Sequence, residues 1–156
     1  MSRFWFLFLW PAITYPIGCG EALMHVGDRG EGEQRIEDAR AEVDASGTWP
    51  VAEWWTDKQD PLGGWLDFAS KPWVSAARGS GDCEDAMVLA EAILSGHVTH
   101  RVYIKNSAGW HAVLVWHTSD GWAVITNMVL LPRYYDTAEE AARGLFGDAT
   151  EDIIID

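Results

Sequence analysis

One helix followed by three strand-like runs, all between residues 78 and 131, is the feature that most limits how this chain folds. Arg78-Gly79-Ser80-Gly81 reads as a glycine-rich loop that delivers Asp82 and Cys83 to a helix over 84–94. Met87, Ala90, Ile93 and Leu94 fall on one side of that helix, and Gly96 ends it as a residue tolerant of positive φ. Strand-like segments follow over 101–105, 111–117 and 122–131, the last two joined by Thr118-Ser119-Asp120-Gly121, a strong hairpin signal. Further on, Thr137-Ala138-Glu139-Glu140 has capping-box form at the head of a helix reaching about Phe146, and Ile153-Ile154-Ile155 suits a closing strand.

The rest of the chain divides by composition. Residues 1–18 set a single basic residue, Arg3, before the apolar run 4–10, and the apolar stretch is shorter than the roughly twenty residues of a membrane span. It fits the apolar region of a secretory signal, so this segment is expected to target the chain for export or membrane attachment, periplasmic or membrane-associated in preference to cytoplasmic. Ile17-Gly18-Cys19 also resembles the end of a bacterial lipoprotein processing box, although Pro16 stands where that motif has an aliphatic residue. Residues 19–48 read as a charged spacer with a peripheral helix, on which Ile36, Ala39 or Arg40, and Val43 make a narrow apolar stripe. The compact domain is expected over 49–156, beginning at the tryptophan-rich stretch and passing through the turn Asp60-Pro61-Leu62-Gly63-Gly64 to a short helix over 65–70.

At 156 residues, 48% hydrophobic and 22% charged, the chain suits one domain with a core of its own and is not a disordered one. A net charge of -13 repels phosphate backbones and anionic headgroups, which excludes nucleic acid as a partner class. The ten tryptophans fill core and strand faces or, alternatively, line a peptide- or glycan-binding groove.

Cys83 is the residue on which function turns. A thiol attacks as thiolate, and the first turn of a helix lowers its pKa through free backbone N–H groups and the positive end of the dipole. Those N–H groups, with that of Cys83 itself, can also donate to the oxyanion of an acyl-transfer intermediate. Against this, Asp82, Glu84 and Asp85 surround the thiol with negative charge, so a partner imidazolium is needed. His111 opens a strand after Gly109-Trp110 and is the candidate base; His25, His97, His100 and His117 lack such a context. Cys19 and Cys83 are expected unpaired, because a disulfide would occupy the nucleophile.

Gly81-Asp82-Cys83-Glu84-Asp85-Ala86 at a loop-to-helix junction, then Trp110-His111-Ala112-Val113-Leu114-Val115 and Gly121-Trp122-Ala123-Val124-Ile125 on successive strands, resembles the transglutaminase-like superfamily. The resemblance is strongest to its bacterial cysteine proteinase branch, in which Gly-Asp-Cys-Glu-Asp carries the nucleophile, and it covers roughly residues 65–131. It implies an α+β, papain-like fold with the nucleophile helix packed on an antiparallel sheet, a Cys-His-Asp or Cys-His-Asn triad, and chemistry on the amide bonds of a protein or peptide substrate. In the resembling proteinases, acids at the positions of Asp82 and Glu84 can bind calcium, whose preference is for hard oxygen ligands. The bland reading of these acids is that Asp82 caps the helix while Glu84 and Asp85 favour its first turn.

The sequence departs from the pattern at the third position, where Thr126 and Asn127 stand in place of an acid. Loop length decides which of them shares a face with His111. A two-residue Asp120-Gly121 turn selects Thr126, and a three-residue Ser119-Asp120-Gly121 loop selects Asn127. Asn127 is the expected orienter, since an amide oxygen accepts an imidazole N–H as in Cys-His-Asn sites. The expected activity is hydrolysis by Cys83, His111 and Asn127, with no cofactor required and calcium as an option. An amine acyltransferase using the same residues is the alternative, and a non-catalytic module binding peptide or cell-wall material through its tryptophans is the rival from another class.

Overall fold

Five antiparallel strands in the order β6-β5-β4-β3-β7 make the sheet that carries the site: β3 (Thr99–Asn106), β4 (Gly109–Thr118), β5 (Gly121–Thr126), β6 (Val129–Tyr135) and β7 (Asp152–Ile155). The computed structural model describes residues 28–50, 54–58 and 69–156. The expected targeting segment, Cys19, the turn at 60–64 and most of the short helix over 65–70 lie outside them. Among the described residues no helix is long and apolar enough to cross a membrane.

Helices cover both faces of the sheet. On one face lie α1 (Arg29–Ser46), α2 (Pro72–Arg78) and α3 (Cys83–Ile93), packed on Ala112, Leu114 and Trp116 of β4 and on Ile125 of β5. On the other, α4 (Ala138–Phe146) buries Ala141 and Ala142 against Val102, Ile104, Val113, Val115 and Val124. Burial on both sides explains why β4 is apolar at every position from Ala112 to Trp116 instead of alternating with polar residues. The fold is therefore α+β, with the Cys83 helix packed on an antiparallel sheet, and α4 starts at the expected cap, Thr137 accepting from the Glu140 N–H at 3.1 Å.

α3 is anchored by Leu89, Ala90 and Ile93, each fully buried, and burying a leucine or isoleucine side chain contributes about 1.5–3 kcal/mol. α1 is the charged segment with the narrow apolar stripe. Its buried residues are Gly32, Ile36, Ala39 and Val43, and it is tied to the rest by Arg35 donating to the Ala76 carbonyl at 3.0 Å and Arg40 to that of Ala92 at 2.7 Å. A Cβ at Gly32 would meet the Trp73 carbonyl, so only glycine allows α1 this close to α2.

Two sequence expectations are corrected in the hairpins. β4 and β5 pair from Leu114–Ile125 to Thr118–Gly121, so a two-residue loop, Ser119 and Asp120, closes the hairpin, one position earlier than Asp120-Gly121 and one residue shorter than the three-residue loop. The single strand expected over 122–131 is two strands, β5 and β6, joined by Asn127 and Met128 at φ 46° and 64°. A two-residue turn with positive φ at both positions matches the right-handed strand twist, and it is normally written Asn-Gly or Asp-Gly. Here Met128 takes the glycine place because its side chain is 2% exposed and its carbonyl accepts from Trp49 Nε1 at 3.0 Å, offsetting the backbone strain. β6 is an edge strand, which lets it hold Pro132 beside a register shift between Ala123 and Ile125.

Candidate active site

The site forms where α3 begins and the β4–β5 ladder ends. Gly79 turns the chain at φ 65° after α2, and β2 (Ser80–Gly81) then runs parallel to β1 (Thr56–Asp57), pairing Asp57 with Gly81. Asp82 caps α3 as expected, its Oδ1 accepting from the N–H of Glu84 and of Asp85 at 3.1 Å each. Asp85 is buried and accepts from the Ser70 N–H at 2.6 Å, and a Cβ on Gly81 would strike the Asp85 side chain. Glycine before the Asp-Cys pair is thus a packing requirement as well as a turn signal.

Cys83, half-buried and unpaired, occupies the first position of α3. The backbone N–H groups of Ala112, the residue after His111, and of Cys83 itself act on the thiol in the direction that lowers its pKa. The β4–β5 ladder stops at Leu114–Ile125, so Ala112 lies beyond it, and its N–H serves the thiol. Burial nevertheless pushes the Cys83 thiol above its ordinary 9.0, helped by the charges of Asp82 and Glu84 and opposed by the Ala112 N–H. Glu84 and Asp85 spend their N–H groups on Asp82, so an oxyanion would draw on the Cys83 N–H in place of the sulfur.

His111 stands at the same end of the sheet. Its Nε2 and the Thr126 hydroxyl are 2.8 Å apart, and its ring meets Phe146 of α4 edge-on at 5.8 Å. Burial lowers the imidazole pKa below 6.5, and the Asp57 carboxylate opposes that shift. Burial thus opposes charge on the thiol and on the imidazole alike.

Asn127 is not placed against that ring. The hairpin register puts Thr126 on the His111 face, while Asn127, in the turn, donates from Nδ2 to Asp57 Oδ2 at 3.0 Å. The amide oxygen expected to accept from the imidazole has no hydrogen-bond partner among the described residues. Asp57 is the residue that sequence reasoning missed. Nothing local marks Thr56-Asp57-Lys58, and only the β1–β2 pairing brings it beside Gly81. His97, His100 and His117 have other partners: His97 faces Asp44 at 3.1 Å, and the other two pack on Trp122.

A calcium ion takes about six to eight oxygen ligands. Asp82 gives one oxygen to two amides and Asp85 gives one to Ser70, and no three His, Cys, Asp or Glu side chains gather as a metal set among the described residues.

No family model matches this chain, and neither does any curated protein. Among solved structures it is similar to calcium-bound LapG of Legionella pneumophila, at 17% identity and a TM-score of 0.41, over 64% of this chain and 56% of that one. The EGTA-treated form of the same protein gives 17% identity and a TM-score of 0.38, over 64% and 55%. The matched region spans little more than half of the LapG chain, and a likeness at this level leaves the site to be judged on its own geometry.

Proposed function

We propose that this chain is a cysteine hydrolase of peptide or amide bonds, of the transglutaminase-like, papain-like type, working through an acyl-enzyme on Cys83 with His111 as base. One observation carries the reading: a thiol at the first position of a helix that packs on the strand of His111, whose Nε2 lies 2.8 Å from the Thr126 hydroxyl. In the tautomer whose Nε2–H donates to Thr126, the lone pair of His111 lies on Nδ1, the nitrogen then available as base.

Burial that opposes charge on both groups sets the order of events. As sulfur bonds to the substrate carbonyl carbon, the Sγ proton passes to His111 Nδ1, and the Cys83 N–H stabilises the oxyanion. The tetrahedral intermediate then expels the amine, which takes that proton as the C–N bond breaks. Water attacks the thioester with His111 again as base, releasing the carboxylic acid and returning the proton to sulfur. An amine in place of water would make a transferase, but hydrolysis needs no second binding site.

An activated ester tests this. p-Nitrophenyl acetate should leave a transient acetyl group on the tryptic peptide containing Cys83 and release nitrophenol in a burst, and Cys83→Ala should abolish both. Equal turnover by Cys83→Ala would refute the acyl-enzyme, and wild-type cleavage of casein would establish amide activity.

A further inference from the structure

We propose that Asp57 is a positioning residue of this site, a carboxylate anchored by the Asn127 amide that stabilises the imidazolium of His111 while Cys83 attacks. This deepens the reading of His111 as base and rests on it. The sequence has no acid at the third position of its resemblance; Asp57 brings one in from a different element.

Three features place it there. β1 lies parallel to β2, with the Lys58 N–H donating to the Gly81 carbonyl at 2.8 Å, so Asp57 sits beside the residue two positions before the nucleophile. Asn127 directly follows Thr126, and its Nδ2 holds Asp57 Oδ2 at 3.0 Å. The left-handed turn that aims Asn127 is itself pinned by Trp49 on the Met128 carbonyl. Thr126 and Asn127, rivals for one role in the sequence, thus divide it: Thr126 meets the ring and Asn127 meets the acid.

The need for such an acid follows from the ring's surroundings. His111 is half-buried, and its hydrogen-bond and ring partners among the described residues, Thr126 from β5 and Phe146 from α4, carry no charge. Burial therefore opposes the imidazolium, and the Asp57 carboxylate is the charge that favours it. Cys83 is the other titratable group at this point, and Asp82 and Glu84 exert their charge on the thiol. A buried base that gains charge in the transition state works faster with a fixed carboxylate nearby.

The test is the pH dependence of Cys83 alkylation by iodoacetamide, whose acid limb reports the protonation of His111. In Asp57→Asn the limb should move to lower pH and the rate at neutral pH should fall about fivefold, because the base is weakened. Asp57→Glu should recover most of the rate, and Asn127→Ala should shift the limb the same way by less, since the acid loses its anchor. Asp57 is exposed, so melting temperatures should be nearly unchanged. An unmoved limb in Asp57→Asn, with labelling still slowed by His111→Ala, overturns the role of Asp57 alone. Labelling indifferent to His111→Ala overturns the base reading beneath it.

Discussion

Replacing Thr126 with valine removes one hydroxyl and keeps the shape of the side chain, so it isolates the contact that orients the His111 ring. The hydroxyl and Nε2 are 2.8 Å apart, both on half-buried side chains. A hydrogen bond of this kind contributes about 0.5–1.5 kcal/mol net, and leaving the ring N–H without a partner moves the loss toward the upper end. With about 1.4 kcal/mol per factor of ten in rate, Thr126→Val should slow Cys83 alkylation about three- to tenfold near neutral pH. Thr126→Ser, which keeps the hydroxyl, should stay close to wild type. The assay is a time course with limiting iodoacetamide, with the peptide containing Cys83 quantified by mass spectrometry. A Thr126→Val rate equal to wild type would show that the ring does not depend on this contact, and the assignment of Nδ1 as the working nitrogen would fall with it.

Two protonation effects should confine maximal stability to near-neutral pH. The folded-state pKa of His111 lies below 6.5, so the unfolded chain takes up the proton first and stability falls as pH drops below about 6.5. That of Cys83 lies above 9.0, so the unfolded chain loses its proton first and stability falls as pH rises past about 9. Urea midpoints across pH should show both slopes, the alkaline one reduced in Cys83→Ala and the acid one in His111→Gln; unchanged slopes would refute the burial argument. Gly81→Ala should cost about 1–3 kcal/mol in urea unfolding because its methyl strikes Asp85, and a neutral result would mean the β2–α3 junction is looser than described. Export through residues 1–18 predicts that N-terminal sequencing of the protein from its native cells finds this segment removed. An intact Met1 in soluble material would refute that.

Much of the site's frame is written in local signals. Gly79 and Gly81 mark the loop, Asp82 the cap, and the apolar side of 84–94 the helix that carries Cys83, because each answers to backbone geometry within a few residues. The strand of His111 shows in its apolar run for the same reason. What escaped depends on pairing between distant segments. The β4–β5 hairpin closes on two residues, one position before Asp120-Gly121, which keeps Thr126 on the ring's face; the three-residue loop that favoured Asn127 differs in register by one, and that exchanges the two residues. The turn at Asn127-Met128 hid because its second residue is held left-handed by burial and by Trp49, neither visible locally. Asp57 was invisible altogether, since a two-residue parallel bridge has no periodicity to read.

The central claim is that Cys83 is a nucleophile activated by His111, and the relative alkylation rates of the two cysteines test it most directly. Cys83 should label faster than Cys19 in the wild-type chain near neutral pH, and His111→Ala should remove that advantage while leaving Cys19 unchanged. Cys83 labelling no faster than Cys19, or labelling at the same rate without His111, would contradict it.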